Sequence, residues 1–408
     1  MQGRRAILVV VFATILIDFV GFSALVPVLP LYAEQLGAAP SQVGLILAFH
    51  AVAQLLFLPA WGWVSDRVGR RPVILVSLAG TAGSFLALAA AESIGAIYAA
   101  RFLSGFFAAS VGTAQAVVAD VTPEEERAQG MGLVGAAVGL GMVLGPALGG
   151  GVAVFHPKAP FWVVAALAAL NFAWAIVRLP ETFTPPAQPP RWRALARVLV
   201  PAPLRLLAAV HDRRIALYLV VFLLVFTALG VLESMAPLLL SHDYGAPVLD
   251  ISLVFVCLGA VFVFTQGVLL APLVARYGET RLVAAGLCAM ALGLFGMLVA
   301  PSLAAFYGIV SCIGLGMGIA FPTFTSLFSR ACQSGQHGEL LAESQAMAMT
   351  GRMLGPWVAG HVVERVSYTA PFAGAAVVTL AALLLIWWAR HDMRVHSPRT
   401  RSQAVSPP

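Results

Sequence analysis

Charge is what this chain of 408 residues has least of: Lys, Arg, Asp and Glu together make up 10% of it, where a soluble globule carries about 25%. That deficit, with 60% of the residues hydrophobic, excludes a fold kept in water by its own surface and points to lipid as the solvent. Cysteine is nearly as scarce. Cys257, Cys288, Cys312 and Cys332 show no metal-ligand spacing and no disulfide framework. Also missing are a phosphate-cradling Gly-x-x-x-x-Gly-Lys-Ser/Thr, a nucleophile elbow and any metal-ligand cluster. No enzyme, no cofactor and no metal is therefore expected, and no ATP-driven step in this chain. The net charge of +6 does not read as nucleic-acid binding, because the arginines are spread over many links rather than gathered on one face. No cleavable signal peptide is expected either, since the first apolar run is too long for one.

What is present is a series of twelve apolar runs, at about 6–31, 41–64, 73–91, 94–118, 123–154, 159–179, 215–240, 249–275, 281–299, 303–328, 342–364 and 369–389, each near the roughly 20 residues a membrane span needs. An even number places both termini on one side. Twenty of the 24 basic residues fall on that side, which by the positive-inside rule is the cytosol; Lys158 and Arg365 lie opposite, and Arg101 and Arg352 fall within spans. The expected organisation is a six-helix bundle over 1–179, a basic cytosolic linker over 180–214, a second six-helix bundle over 215–390 and a disordered cytosolic tail over 391–408. Within the linker, Arg193–Leu199 and Leu204–Val210 could form interfacial helices, the plainer alternative being a link that only fixes topology.

The two halves repeat. Gly141, Gly145, Pro146 and Gly150 recur as Gly351, Gly355, Pro356 and Gly360, and Arg67-Val68-Gly69 recurs as Arg276-Tyr277-Gly278 at nearly the same offset. Duplicated six-helix units in one chain are a transporter architecture. The second copy is degenerate: Ala275 stands where Asp66 stands, and Thr280 where Arg71 stands.

Ionisable residues inside spans cost roughly 2.5–3.5 kcal/mol or more and so point to function. Asp18 lies roughly 18 Å into the first span by helical rise. A carboxyl there must face water, find a cation or hold a proton, and taking up and releasing a proton is what ion coupling requires. Arg101 lies at comparable depth in the fourth span, and a static Asp18–Arg101 pair is the structural alternative. Arg101, Ser104, Ala108, Gly112 and Gln115 share one small, polar face at helical spacing, suited to a cavity wall. His50 and Gln54 share a face of the second span, and histidine is the side chain that changes charge nearest neutral pH. Glu233 in the seventh span reads as a second proton site, a cation contact or a residue reaching the outer interface, and Arg352 in the eleventh as an anion contact, a balance to cavity charge or a residue reaching inward. Phe19, Phe22, Asn171, Phe222, Phe226, Phe262, Phe264, Phe321 and Phe324 could line an aromatic cavity or face lipid and core. In the fifth span Gly135, Gly139, Gly141, Gly145, Gly149, Gly150 and Gly151 allow close helix approach, with Pro146 as a kink. Thr122-Pro123-Glu124-Glu125 reads as a capping box opening that span at about residue 123. Asp66 is expected to cap a neighbouring helix N-terminus, and Arg67, Arg70 and Arg71 to meet Asp120, Glu124, Glu125 or Glu126 only when the halves close on the cytosolic side.

The stretch Gly62-x-x-x-Asp66-Arg67-x-Gly69-Arg70-Arg71 resembles the signature loop between helices 2 and 3 of the major facilitator superfamily, and its neighbourhood is similar to that of the drug/proton antiporters, tetracycline exporters included. Arg101-Phe102-Leu103-Ser104-Gly105 resembles the family's helix-4 motif, whose arginine is implicated in proton transfer, with Ser104 where Gln is usual. Gly141 to Gly150, with Gly149 in it, resembles the antiporter motif that symporters usually lack, and Ala119 to Arg127 and Ala275 to Glu279 also match antiporter links. The resemblance implies an all-α membrane protein of twelve transmembrane helices in two pseudo-symmetric bundles. It implies a bacterial inner-membrane, proton-coupled antiporter exporting small amphipathic compounds by alternating access, with Asp18, Arg101, Glu233 and His50 in coupling and Phe19, Phe22, Gln54, Gln115, Asn171 and Arg352 at the cavity. Gly62, Asp66, Arg67, Gly69, Arg70, Arg71 and Arg127 would form the cytosolic gate. The partners implied are a small-molecule substrate, protons and the bilayer, for a monomer. Export of an endogenous sugar, peptide or lipid on the same scaffold, and a non-transporting membrane sensor, are the alternatives.

Overall fold

The computed structural model describes residues 2–123, 126–183, 213–331 and 337–395, and all of its regular structure there is helical. The helices are α1 (Gln2–Gln35), α2 (Pro40–Val68), α3 (Arg70–Ala90), α4 (Ile94–Phe106), α5 (Ser110–Val121), α6 (Arg127–Ala153), α7 (Ala159–Arg178), α8 (Arg213–Tyr244), α9 (Val248–Phe264), α10 (Leu270–Tyr277), α11 (Glu279–Gly296), α12 (Leu303–Ala331), α13 (His337–Arg365) and α14 (Ala370–Val395). Two pairs make single spans: α4 with α5, across a short break, and α9 with α10, across the π-turn Thr265–Leu269. That leaves twelve traverses. Eleven are long and apolar enough to cross a membrane on composition alone. The twelfth, α13, carries Glu343, Arg352, His361 and Glu364 and packs against α2 and α8, which shield it from lipid. Helix α14 continues through Val395, past the point where a disordered tail was expected. The two interfacial helices and Cys332 lie outside the described residues.

The fourth span is not the continuous helix its apolar run suggests. It breaks at Phe107-Ala108-Ala109, where neither Pro nor Gly stands. Other helices hold the break open. Ser77 of α3 donates its hydroxyl to the Phe107 carbonyl and accepts from the Ser110 amide at 2.9 Å. Trp61 of α2 donates Nε1–H to the Phe106 carbonyl at 2.6 Å, and the Phe107 ring fills the space left by Gly80, where a methyl would overlap it. Backbone groups freed inside a membrane must find such partners. Ser77→Ala, at a fully buried position, strands both the carbonyl and the amide. We expect it to cost about 1–3 kcal/mol, read as a lower thermal midpoint. Ser84→Ala, which removes only a bond to Gly80 of the same helix, is expected to cost less.

The fifth span also begins late. Helix α5 runs to Val121 with Thr122 as its extended C-cap, Pro123 lies in the link, and α6 starts at Arg127. The Thr122-Pro123 box therefore does not open α6; those residues reverse the chain, with Glu126 N–H donating to the Pro123 carbonyl.

The repeated glycines have a shared division of labour. Gly141 and Gly145 seat α6 on α1 beside Phe19, Val20 and Ser23, and Gly351 and Gly355 seat α13 on α8 beside Leu223 and Thr227. The last glycine of each copy faces the other half: Gly150 meets Ser252 of α9, and Gly360 meets Pro40 and Ser41 of α2. Between the halves, Gly44 also lies against Pro356, Gly259 against Met142 and Gly139 against Val263. Ser41 N–H donates to Glu364 at 3.0 Å, and His242 meets Glu34 at 3.0 Å. All these contacts lie away from the ends where α1 begins and α14 finishes. Toward those ends α6 has open space at Gly135 and Gly132, as do Gly267 within the π-turn of the eighth span and Gly62 of α2. Among the described residues, these contacts between the halves all lie at the face away from the chain ends.

Candidate functional site

The link between α2 and α3 turns at Gly69, whose φ of +109° favours glycine; Gly278, at the same place in the second half, has φ +75°. A side chain at Gly69 would strike the Glu181 carboxylate. Glu181 accepts from the Arg70 and Arg71 amides at 2.8 and 3.1 Å and so caps α3 at its N-terminus, where the dipole favours negative charge. That place was expected for Asp66, which is held instead on the last turn of α2 and pairs with Arg70 at 2.6 Å. Arg70 also reaches Asp120 at 3.2 Å, Arg71 donates to the Ile176 carbonyl at 2.7 Å, and Arg67 lies 4.0 Å over the Trp63 ring. These contacts are internal to the first half, which corrects the expectation that they form only when the two halves close. The Arg127 side chain, Glu124 and Glu125 lie outside the described residues.

Asp18 is half-buried on α1 and accepts a short hydrogen bond from the Ser110 hydroxyl, the first residue of α5. Its other oxygen, Oδ1, is buried with no partner among the described residues. Asp18 and Arg101 make no ion pair, because the break between α4 and α5 inserts Ser110 beside Asp18 while Arg101 stays on α4. The same break removes Gln115 from the face that carries Arg101.

Arg101 lies instead in a cavity between the halves. Its walls are Phe22, Leu25 and Val26 of α1, Leu47, His50, Ala51 and Gln54 of α2, Arg101 of α4, Gly230 and Glu233 of α8, and Arg352 and Pro356 of α13. Six of the residues singled out in the sequence thus meet: Phe22, His50, Gln54, Arg101, Glu233 and Arg352. Phe19, Gln115 and Asn171 do not line it. Phe19 packs over Gly141, and Asn171 is buried within the first half, donating to Thr14 at 3.4 Å. Glu233 does not reach the interface, nor Arg352 the inner end; they pair with each other at 2.9 Å. The Arg352 guanidinium lies 5.0 Å from the Phe22 ring and 5.7 Å from that of Phe226. Ser104 donates to the Arg101 carbonyl at 2.9 Å and lies 2.9 Å from His50 Nδ1. The enclosed space, about 30 Å³, is far below the roughly 300–1,000 Å³ of a drug-sized site. Ser110, Ser77 and Glu181 escaped the sequence reading because each acts through an element remote in sequence.

The sequence profile described as Major Facilitator Superfamily matches residues 11–342 and 239–407. The chain belongs to the major facilitator superfamily. Within this transporter superfamily it is 28% identical over 392 residues to the tetracycline resistance protein, class C, of Escherichia coli, covering 95% of this chain and 96% of that one. It is 25% identical to multidrug resistance protein 2 of Bacillus subtilis, with 95% and 96% covered. The crystal structure of the human organic anion transporter MFSD10 (TETRAN) superposes with a TM-score of 0.72 at 26% identity, covering 94% of this chain and 99% of that one. As a member of the superfamily the chain is a multi-pass membrane transporter, and the twelve traverses agree with that fold.

Proposed function

We propose that this protein is a proton-coupled antiporter of a bacterial inner membrane that exports small amphipathic compounds, among them tetracycline-like drugs. The observation that carries the reading is Asp18: a carboxylate inside the first span, half-buried, with one oxygen held by Ser110 and the other free to take a proton. An ionisable group is costly in lipid and persists where it works. Its likeness to tetracycline and multidrug resistance proteins supports export rather than uptake.

In this reading the terminal face is cytosolic, as the arginine distribution argues. Residues 1–179 and 215–390 are the two moving bodies, joined by the 180–214 link. The cytosolic face admits cargo to the seam, and the opposite face opens when the halves rock. A proton arriving from outside occupies Asp18 and leaves it on the cytosolic side. Gly62, Asp66, Arg67, Gly69, Arg70 and Arg71 stiffen the first half at that face, a role that fits contacts internal to it.

The test is uptake of labelled tetracycline and a cationic dye into inverted vesicles with an imposed pH gradient. Uptake that follows the gradient and collapses when an ionophore dissipates it is expected. Vesicles that move neither compound nor protons beyond the protein-free level would sink the proposal.

A further inference from the structure

The cavity between the halves holds two guanidinium groups and one carboxylate. Glu233 is taken by Arg352 at 2.9 Å. Arg101 is left over. It is 3% exposed; among the described residues no carboxylate lies within ion-pairing distance of it, the one hydrogen bond of its side chain is a long one of 3.5 Å to Ser104, and its Nε is buried without a partner. The Nε of Arg352 is likewise buried and unpartnered. Two guanidiniums against one carboxylate leave the cavity with one uncompensated positive charge, walled by Phe22, Leu25, Val26 and Leu47. A buried cation without a counter-ion is costly unless an anion completes it, and a guanidinium offers a planar fork suited to an oxyanion.

We infer that Arg101 and Arg352, one from each half, form a binding site for the anionic group of a small organic monoanion with an apolar, aromatic body. The opening of about 30 Å³ has room for roughly two water molecules, the scale of a carboxylate or enolate head. The body of such a compound then extends along the seam, where the aromatic faces of Phe22 and Phe226 already flank Arg352. Glu233 is the built-in competitor: it holds Arg352 when the site is empty and gives way in part to the ligand. Because the two arginines belong to different halves, an anion bridging them ties the halves together at mid-depth. As a site this rests on the cavity; as a statement about cargo it rests on the exporter reading above.

The test uses three probes of one shape: radiolabelled 2-naphthoate, its neutral amide 2-naphthamide, and the cationic 2-naphthylmethylamine. Their binding to the full chain in phosphatidylcholine nanodiscs is measured by equilibrium dialysis against empty nanodiscs. Naphthoate is expected to bind at least tenfold more tightly than the amide, with the amine weakest. Arg101→Gln and Arg352→Gln should each remove the preference, Arg101→Lys should keep part of it, and Glu233→Gln, which frees Arg352, should strengthen it. Equal binding of the three probes, or a preference for the amine, overturns the site; so does a preference that survives in a folded Arg101→Gln protein. If Arg101→Gln does not fold, the wild-type series with Arg352→Gln and Glu233→Gln decides by the same criteria. Displacement of naphthoate by phosphatidylglycerol added to the nanodiscs would assign the site to a lipid headgroup and overturn the soluble-anion ligand. Vesicles that move the amine under a pH gradient but neither bind nor move naphthoate would leave the exporter standing and remove the anion site. Selective naphthoate binding without transport of any probe would do the reverse.

Discussion

Replacing Asp18 with Asn is expected to leave a folded carrier that no longer exchanges protons for cargo. The amide oxygen can still accept from the Ser110 hydroxyl, so the contact between α1 and the start of α5 survives. What disappears is the one group at that point able to bind and release a proton. Drug-dependent proton movement in inverted vesicles should fall to the level of protein-free vesicles. Counterflow, in which labelled cargo exchanges for unlabelled cargo with no net driving ion, should persist, because cargo contacts and the rocking of the halves remain. That split separates a coupling role from a structural one. Loss of counterflow together with coupling would make Asp18 a packing residue, and retained coupling would move the proton site elsewhere.

The second large effect is expected at Gly44, on the sealed seam between α2 and α13. A Cβ there would overlap the Pro356 carbonyl, which is backbone and cannot swing away. Gly44→Val should therefore raise the energy of the sealed state by about 1–3 kcal/mol, a shift of roughly 5–150-fold in the conformational equilibrium. With the four native cysteines replaced by serine and Leu47→Cys as reporter, a membrane-impermeant thiol reagent should react faster from the face opposite the termini than it does in the unblocked protein. Transport should fall accordingly. Gly83→Val, where a side chain meets nothing within 4 Å, is the control and should transport normally. Unchanged reagent access in Gly44→Val would mean that the seam relaxes around the added bulk.

The contrast between these two sites shows what one chain of letters carries. The spans were legible because lipid demands long apolar runs. The repeat of Gly141 and Gly351 was legible because close helix approach leaves no choice of residue. Asp18, Arg101, Glu233 and Arg352 stood out by their cost. What they touch did not. The break after Phe106 is dictated by Ser77 and Trp61, whose own helices give no local sign of it. Because of that break, Gln115 leaves the Arg101 face and Ser110, rather than Arg101, becomes the partner of Asp18. Glu181 takes the capping place expected for Asp66 because the turn at Gly69 aims α3 at the end of the sixth span. Asn171 satisfies Thr14 inside one half rather than facing cargo, a choice that spacing along one helix cannot reveal.

The sealed seam also has an electrical consequence. From Gly139 opposite Val263 to Gly150 opposite Ser252, helix α6 stays against the other half, a length of about 16 Å by helical rise. That is about half of a hydrocarbon layer roughly 30 Å thick. When water fills the terminal side of the seam, the membrane voltage drops mainly across this collar rather than evenly through the protein. A charge in the seam then sits close to the potential of the compartment on the terminal side, and it crosses the remaining drop, worth about 2.3 kcal/mol per elementary charge at 100 mV, when the collar opens and re-forms at the other end. Turnover in such a carrier should respond to membrane potential through the rocking step, even for a cargo whose own charge is zero.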